Sequence, residues 1–260
     1  AEQSLSDFEV IVVDDGSPGP DYVFPDGRFR LVRRDRRSGP AACRNAGAAE
    51  AVAEALFFTD TDCRLERDTL AHALEGLERA PVSAGDTITD VKTAFGGLVA
   101  ALGFPGGGIL GFEKVWRVDA NGFARSFSSC NVAFRSAFFK ETGGFDESFP
   151  VAGGEDTVLA RRIVDGGGAI WYERGQRVFH VEKPDLAGFL RWQVIRGRGN
   201  FHIRRRVSSV GGYLRLRVWT FRNSIARAGI LKAPAVLALI ALSVAAQTVG
   251  YWLERRRWAG

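Results

Sequence analysis

The feature that most constrains the fold is a short apolar run at residues 56–58, followed by two carboxylates, Asp60 and Asp62. An apolar run bounded by turn residues is typical of a strand buried in a parallel sheet. Ligands of open parallel sheets bind beyond the carboxyl ends of the strands. Carboxylates at alternate positions there would point to one side and could hold Mg²⁺ or Mn²⁺ with substrate phosphates. An Asp-x-Asp pair can also be an ordinary turn, so its neighbours decide its meaning.

The preceding segments also place polar side chains at strand ends and helix starts. The β-branched run at residues 8–13 leads into Asp14, Asp15 and Ser17. A helix predicted from residue 40 carries Arg44 and Asn45 in its first turns, where a phosphate could bind. The order strand, strand, helix, strand, helix predicts an α/β fold with a mainly parallel sheet. The residues at 14–17 would equally suit a plain turn.

Further along the chain, three titratable residues occupy comparable positions. Glu155 and Asp156 open a helix predicted at residues 157–164. His180 is the last residue of a strand predicted at residues 177–180, which comes after another strand predicted at 169–172. Acidic residues at a helix start are often only partners of the helix dipole, and a lone histidine is often structural. These residues therefore gain meaning only together with the earlier motifs.

Six motifs between residues 8 and 180 resemble those of family-2 glycosyltransferases, which have the GT-A fold, and they follow the order of that family. They are Asp-Asp-Gly-Ser at 14–17, Arg-Asn-Ala-Gly at 44–47, Asp-Thr-Asp at 60–62, Cys-Asn-Val at 130–132, Gly-Gly-Phe-Asp at 143–146 and Gly-Glu-Asp at 154–156. The family usually opens with a strand and a helix ahead of the first motif. We therefore expect this sequence to lack that first strand and helix.

The resemblance implies an inverting transfer of a sugar from a nucleotide-diphospho-sugar to an acceptor hydroxyl. The residues implied in donor binding are Asp14, Asp15, Ser17, Arg44, Asn45 and Asp60. Those implied in holding Mg²⁺ or Mn²⁺ are Asp62, Asp60 and His180, and those implied in catalysis are Asp156, as general base, and Glu155. A non-catalytic protein that only binds nucleotide sugars remains the alternative, because the first strand would normally help to form the nucleotide pocket. A basic nucleic-acid-binding protein is a more remote alternative, which rests on charge alone.

The last third of the chain has a different character. Residues 233–252 contain no charged side chain, end in Tyr251 and Trp252, and are long enough to cross a bilayer as a helix. A buried core helix is the alternative. We predict a catalytic domain at 1–185, a basic amphipathic region at 186–232 that is either interfacial or simply solvated, a membrane helix at 233–252 and a basic tail at 253–260.

A membrane helix also predicts a location and an acceptor. Nucleotide sugars are cytosolic, so the catalytic domain is expected on the cytoplasmic face of the cell membrane, acting on a glycan or lipid-linked acceptor of the cell envelope. Arginines on both sides of residues 233–252 leave the topology open, and a shallow hairpin or a helix on the membrane surface is the alternative to a crossing. The apolar, glycine-rich residues 94–111 could dip into the membrane or form an irregular part of the core.

Charge and cysteine content add weaker limits. The net charge of +5 and a pI near 9.4 suit nucleic acid, a membrane surface or anionic phosphates. No nucleic-acid-binding motif accompanies that charge, so nucleic acid is not a predicted partner. The three cysteines, Cys43, Cys63 and Cys130, are scattered and odd in number, which predicts reduced thiols.

Overall fold

The structure is a computed structural model that describes residues 2–19, 22–104, 118–207 and 222–259. The strands in these ranges are β1 Val10–Asp14, β2 Phe29–Arg33, β3 Ala55–Phe58, β4 Cys63–Leu65, β5 Val82–Asp90, β6 Phe123–Ala124, β7 Val132–Arg135 and β8 Ile170–Val181. The helices are α1 Pro40–Glu50, α2 Thr69–Arg79, α3 Ala94–Ala101, α4 Ser136–Glu141, α5 Glu155–Asp165, α6 Leu186–Arg206 and α7 Ala233–Ala259, with a 3₁₀ turn at Ile230–Lys232 before α7.

The larger sheet is mixed rather than mainly parallel, which corrects the sequence-based expectation. Its order is β3-β7-β5-β8-β4, with β6 added beside β8. Only the β5–β8 pair is parallel among the described pairs of this sheet, whereas β7 runs antiparallel to both of its neighbours. Short buried strands show the same apolar runs in either direction, so the sequence pattern could not reveal this orientation.

A gap separates the larger sheet from the parallel pair β1–β2. No strand pairing between β1 and β3 is present among the described residues. A cavity of about 1780 Å³ lies between them, and its walls include Ile11 and Val13 from β1 and Leu56 and Phe58 from β3. The carboxyl ends of β1 and β3 therefore approach the same space without being joined by backbone hydrogen bonds.

Strand β8 is continuous where the sequence predicted two strands, at 169–172 and 177–180. The intervening Glu-Arg-Gly-Gln sequence reads as a turn. In the fold, the Ser83 hydroxyl donates to Gln176 Oε1 over 2.6 Å, and Gln176 Nε2 donates to Asn131 Oδ1 over 3.0 Å. This buried network satisfies the polar side chains, so the strand passes through the sheet with one register shift opposite Gly85 and Asp86.

An aromatic cluster fixes the end of β3. The Phe58 ring centroid lies 5.8 Å from that of Phe134, 5.1 Å from that of Phe139 and 5.3 Å from that of Phe145. Edge-to-face and tilted contacts at these separations are favourable beyond the burial of area. Because Phe58 is the last residue of β3, this packing holds the start of the Asp60–Asp62 segment in place.

The C-terminal helices pack side by side. Helix α7 continues to Ala259, beyond the predicted end at residue 252, and a Cβ atom added at Gly250 would lie 2.0 Å from the Val194 carbonyl oxygen of α6. Within the described residues, 230–259 form one helix long and apolar enough to cross a membrane, a test that core helices also pass. The predicted loop at 94–111 begins with α3, and its residues 105–111 lie outside the described ranges, as do residues 208–221 of the predicted basic region.

Candidate active site

The carboxylates at the end of β1 are both held by backbone groups. Asp15 accepts hydrogen bonds from the backbone N–H groups of Ser38 and Gly39 over 2.7 and 2.9 Å, and Asp14 accepts one from the Ser17 N–H over 3.1 Å. Burial alone would raise the pKa of Asp15, but the bonds from Ser38 and Gly39 outweigh it and leave that pKa lowered. Bonds from Ser17 are the largest cause of the lowered pKa of Asp14. Both side chains are therefore anionic and fixed beside the start of α1.

Arg44 of α1 joins two motifs that are distant in sequence. Its guanidinium donates to Asp60 Oδ1 over 2.7 Å and to Glu155 Oε1 over 2.8 Å. Burial alone would lower the pKa of Arg44, but the two carboxylates outweigh it and raise that pKa. The other oxygen of Glu155 accepts the Gly153 N–H over 2.8 Å. Glu155 is thus buried and fully engaged, and Asp60 is turned toward Arg44.

Asn45 has a local role in the structure. Its Nδ2 donates to the Phe145 carbonyl over 2.9 Å, and its Oδ1 accepts the Phe145 N–H over 2.9 Å. The positive φ of 68° at Gly144, just before this contact, suits a residue without a Cβ atom. A Cβ there would also lie 2.6 Å from Asn45 Oδ1. In this arrangement Asn45 holds the Gly-Gly-Phe-Asp turn against α1.

Asp156 differs from its neighbour Glu155. It is half-buried, and one of its oxygens accepts the Thr157 N–H over 2.7 Å. Burial, followed by the negative charge of Glu155, raises the pKa of Asp156 to about 6. A carboxylate with a pKa close to the working pH is a more effective general base than one with an ordinary value.

The strongest candidate for a metal centre lies where β4 meets β8. Ligand atoms of Asp62, Cys63 and His180 all lie within 4.8 Å of one another, and His180 Nε2 is 3.5 Å from Asp62 Oδ1. His180 Nδ1 lies 2.9 Å from the Val181 carbonyl oxygen. A proton on Nδ1 would satisfy that carbonyl and leave Nε2 with a free lone pair facing Asp62. Asp60 is not part of this cluster.

The donor chemistry of this cluster fits a hard or borderline divalent ion. A hydrogen bond with Cys130, followed by burial, raises the pKa of Cys63 far above its usual value. Sulfur is a soft ligand, whereas Mg²⁺ and Mn²⁺ favour oxygen ligands, so the carboxylate of Asp62 and the imidazole of His180 suit such an ion better than the Cys63 sulfur does. That pair is compatible with Mn²⁺ or Mg²⁺ completed by substrate oxygens. Lys183 Nζ lies 3.6 Å from Asp62 Oδ2.

The structure thus brings the predicted residues into two adjoining groups. One is the cluster of Asp62 and His180, and the other is the triad of Arg44, Asp60 and Glu155, next to Asp156. Sequence reasoning missed Lys183 and the two ion pairs of Arg44. The sequence around Arg44 in α1 gives no indication that its partner, Glu155, lies 111 residues away. The closeness of His180 to Asp62 followed only from the motif order.

Two protein-family models match the chain. The model described as glycosyl transferase family 2 matches residues 1–139, and the model described as the N-terminal domain of galactosyltransferase matches residues 117–184. The first match spans more than half of the chain. The chain belongs to glycosyl transferase family 2.

Similar curated proteins include two from different kingdoms. The probable N-acetylgalactosaminyltransferase 9 of Caenorhabditis elegans is 28% identical over 195 residues, which cover 66% of this chain and 34% of the relative. The succinoglycan biosynthesis protein ExoO of Rhizobium meliloti (strain 1021) is 26% identical over 195 residues, covering 70% and 55%. The chain therefore spans about a third to a half of these relatives.

Solved structures share the fold at low sequence identity. The mannosyltransferase PcManGT from Pyrobaculum calidifontis, in complex with GDP-Man and Mn²⁺, gives a TM-score of 0.53 at 20% identity, covering 96% of this chain and 70% of that one. GalNAc-T7 with UDP, GalNAc and Mn²⁺ gives a TM-score of 0.50 at 18% identity, covering 69% and 38%. The predicted GT-A fold is confirmed.

Proposed function

We propose that this protein transfers a sugar from a nucleotide-diphospho-sugar to an acceptor hydroxyl with inversion at the anomeric carbon. The observation that carries the proposal is the convergence of Asp62 and His180 next to the triad that Arg44 forms with Asp60 and Glu155. Such a transfer needs a cation-binding cluster and a general base, and the raised pKa of Asp156, which follows Glu155 in the chain, suits the second role. The names of the similar proteins agree with a nucleotide-sugar donor.

In this proposal, Asp62 and His180 hold a divalent ion, Mn²⁺ or Mg²⁺. When bound, the ion would neutralise charge on the departing nucleoside diphosphate. Asp60 would act from the second sphere or join the ligands after Arg44 moves. Lys183, already paired with Asp62, adds positive charge on the same side.

The donor would lie over the carboxyl ends of β1 and β3. Asp14, Asp15 and Ser17 flank the end of β1, and Arg44 sits between the two strands. In this proposal Asp15 and Asn45 position the walls of the donor pocket, because their hydrogen bonds are made to other groups of the protein. Arg44 is the cation best placed to exchange a carboxylate for a diphosphate oxygen.

Asp156 is proposed as the general base that removes the proton from the attacking hydroxyl. Glu155 is bound on both oxygens, to Arg44 and to the Gly153 N–H, so it is not available as a nucleophile. A single base without a partner nucleophile supports one displacement and therefore inversion. Glu155 would then position Asp156 and raise its pKa.

The acceptor and location are proposed from the C-terminal part of the chain. The apolar helix α7 supports attachment to the cell membrane, with the catalytic domain at 1–185 on the cytoplasmic side, where donors are made. A glycan or lipid-linked acceptor of the cell envelope is consistent with that position. The predicted layout of a basic region at 186–232, an apolar helix at 233–252 and a basic tail at 253–260 is kept as part of the proposal.

A nucleotide-release assay tests the proposal. The protein is supplied with UDP-, GDP- or dTDP-sugars and Mn²⁺ or Mg²⁺, and compared with Asp62→Ala, Asp156→Asn and the control Asp68→Ala, which changes an exposed aspartate at the start of α2. We expect one donor class to release nucleotide, with loss in the first two variants only. Product NMR reports the anomeric configuration. Donor binding without release by a folded chain would indicate a binding protein instead.

A further inference from the structure

From Ser243 to its end, the apolar helix α7 is inside out compared with a helix at a protein–water surface, whereas Val236 and Leu239 nearer its start are buried and apolar. The stripe that it buries against the protein includes Ser243, Gln247 and Glu254, and all three are less than a tenth exposed. The face that it leaves open is apolar and aromatic. The exposed large side chains of this face are Leu237, Leu242, Val244, Val249, Trp252 and Leu253. A helix in water shows the opposite distribution, with its apolar stripe facing the core.

Side-chain hydrogen-bonding groups along the middle of α7 are satisfied within the protein. Gln247 Nε2 donates to Gln193 Oε1 over 2.7 Å and to Ser243 Oγ over 3.0 Å, and Asn200 Nδ2 donates to Gln247 Oε1 over 3.1 Å. Even the exposed Thr248 donates its hydroxyl to the Val244 carbonyl of its own helix over 2.8 Å. Such bonds within the helix are needed where no water is available.

Toward its C-terminal end, α7 is bound to α6 by charged groups. Glu254 accepts hydrogen bonds from Arg198 Nε over 2.6 Å and pairs with His202 Nε2 over 3.0 Å. The two helices run parallel, since Gln193 meets Gln247 and His202 meets Trp258. The polar stripe of α7 is therefore an interface with α6, and its apolar face points away from α6.

Helix α6 is in turn fixed to the catalytic domain along its whole length. Near its start, Phe189 contacts Phe95 of α3, with ring centroids 6.4 Å apart. A Cβ atom added at Gly199 would lie 1.9 Å from the Gly153 carbonyl oxygen, so the two backbones are in direct contact. At its end, Arg206 Nε donates to Asp146 Oδ2 over 2.6 Å. Helix α7 therefore lies along the side of the domain.

This arrangement is incompatible with α7 crossing a bilayer. The helix has 27 residues and is about 40 Å long, enough to cross the hydrocarbon core. A crossing of residues 233–252 would carry the part of α6 that packs against them, with Arg191 and Arg196, into that core, together with the turn after α3, whose Phe104 contacts Trp192. Charged side chains there are costly, and irregular backbone exposed to lipid does not occur. A helix lying in the plane of the membrane surface avoids both problems.

A basic and aromatic cluster marks one end of the helix pair. Arg205 lies 4.8 Å from the centroid of Trp258, Arg255 lies 4.6 Å from that of Trp252, and Arg204 lies 5.6 Å from that of Tyr251. Arg256 and Arg257 follow in α7 and are exposed. Arginine with tryptophan and tyrosine is the combination that binds an anionic lipid headgroup region.

From these contacts we infer that α7 is an in-plane membrane helix, with its open apolar face in one leaflet of an anionic bilayer and its polar stripe against α6. The inference rests on the membrane attachment given under the proposed function. Both ends of α7 then stay on the side of the catalytic domain. This also removes the conflict of arginines on both sides of the apolar segment, because neither end has to be translocated.

Protease accessibility tests the topology. Versions of the full chain with a tag at the N-terminal or the C-terminal end are expressed, and sealed vesicles with the cytoplasmic side outward are treated with protease. We expect both tags to be digested before detergent is added. A C-terminal tag that is cleaved only after detergent would overturn the inference, as would absence of the protein from the membrane fraction. Neither readout measures sugar transfer, so failure here is distinct from failure of the transferase proposal.

Vesicle binding of the purified chain tests whether the open apolar face of α7 contacts the membrane. The variant Val249→Asp places a carboxylate on the open face, and Val52→Asp makes the same change at an exposed valine after α1. We expect Val249→Asp to weaken binding to phosphatidylcholine–phosphatidylglycerol vesicles by roughly tenfold or more. The free energy needed to place a carboxylate among acyl chains exceeds the free energy that corresponds to a tenfold change in affinity. Val52→Asp should bind as the parent does. Equal binding by both variants would overturn the inference.

Discussion

The guanidinium of Arg44 lies 2.8 Å from the carboxylate of Glu155, although 111 residues separate them in the chain. The second arm of the same guanidinium lies 2.7 Å from Asp60. One arginine thus connects helix α1, the segment after β3 and the start of α5. It ties the proposed metal-binding segment to the segment that carries the proposed general base.

Arg44→Met should destabilise the protein by about 3 kcal/mol, since removing one partner of a buried ion pair leaves the other charge uncompensated. Glu155 is the charge left behind, and its side chain is only 3% exposed. Urea unfolding measures the loss. The control Arg161→Met removes the solvent-exposed pair with Asp165 and should change the midpoint little. Equal midpoints for the two variants would contradict the prediction.

His180→Ala should weaken Mn²⁺ binding by roughly tenfold or more, because loss of even a supporting group of a metal site has effects of that size. Cys63→Ser should leave Mn²⁺ affinity nearly unchanged, because Mn²⁺ favours oxygen ligands over soft sulfur ligands. Titration calorimetry of the purified variants measures both affinities. A larger loss for Cys63→Ser than for His180→Ala would show that the thiol is the ligand.

Activity should rise with pH through the titration of Asp156. With a pKa of about 6, the ionised fraction and the rate should increase about tenfold from pH 5 to pH 7. Initial rates at saturating donor measure this profile. A profile without an inflection in this range, in a chain that remains folded, would remove Asp156 from the role of base.

The same raised pKa has an opposite effect on stability. Between the ordinary pKa of an aspartate and about 6, the folded state holds a proton that the unfolded state has already released. The contribution of Asp156 to the free energy of unfolding therefore falls as pH rises through this window and is constant above it. Asp156→Asn should flatten that slope, which urea unfolding at several pH values would show.

Gln176→Ala should cost about 2 kcal/mol or more, because it leaves buried hydrogen-bonding groups without partners. The Ser83 hydroxyl and Asn131 Oδ1 both lose their bonds to Gln176. Thermal or urea unfolding measures the effect. Gln3→Ala, at a part-buried position near the N-terminal end, provides a comparison with a smaller expected loss. The reverse order of stabilities would be inconsistent with this network.

The sequence predicted local elements better than their mutual directions. Helix α5 was expected at residues 157–164 and extends over Glu155–Asp165, since its glycine-rich flanks mark both ends. The continuity of β8 was missed because its middle residues resemble a turn, and only Ser83 and Asn131 make them acceptable inside a sheet. The antiparallel course of β7 depends on tertiary connections that no local pattern records.

For the candidate site too, the sequence predicted the residues but not their contacts. Residue types and motif order indicated Asp62, His180, Glu155 and Asp156. The partners of Glu155 and Asn45 could not be read from spacing, since Arg44 is 111 residues from Glu155 and Phe145 is 100 residues from Asn45. The motifs therefore indicated candidate site residues, and the fold showed which of them are engaged by other groups of the protein.

Because a gap separates β1 from β3, the backbone of β1 and β2 should open more readily than that of the larger sheet. A two-stranded ribbon is only marginally stable alone, so β1 and β2 depend on α1 and on the contacts of Arg44 and Asn45 with the rest of the fold. Their amide protons should exchange with solvent through partial opening, earlier than those of β5 and β7, which lie inside the larger sheet. A donor that contacted both β1 and β3 would slow that exchange, because it would link two strands that backbone hydrogen bonds do not join.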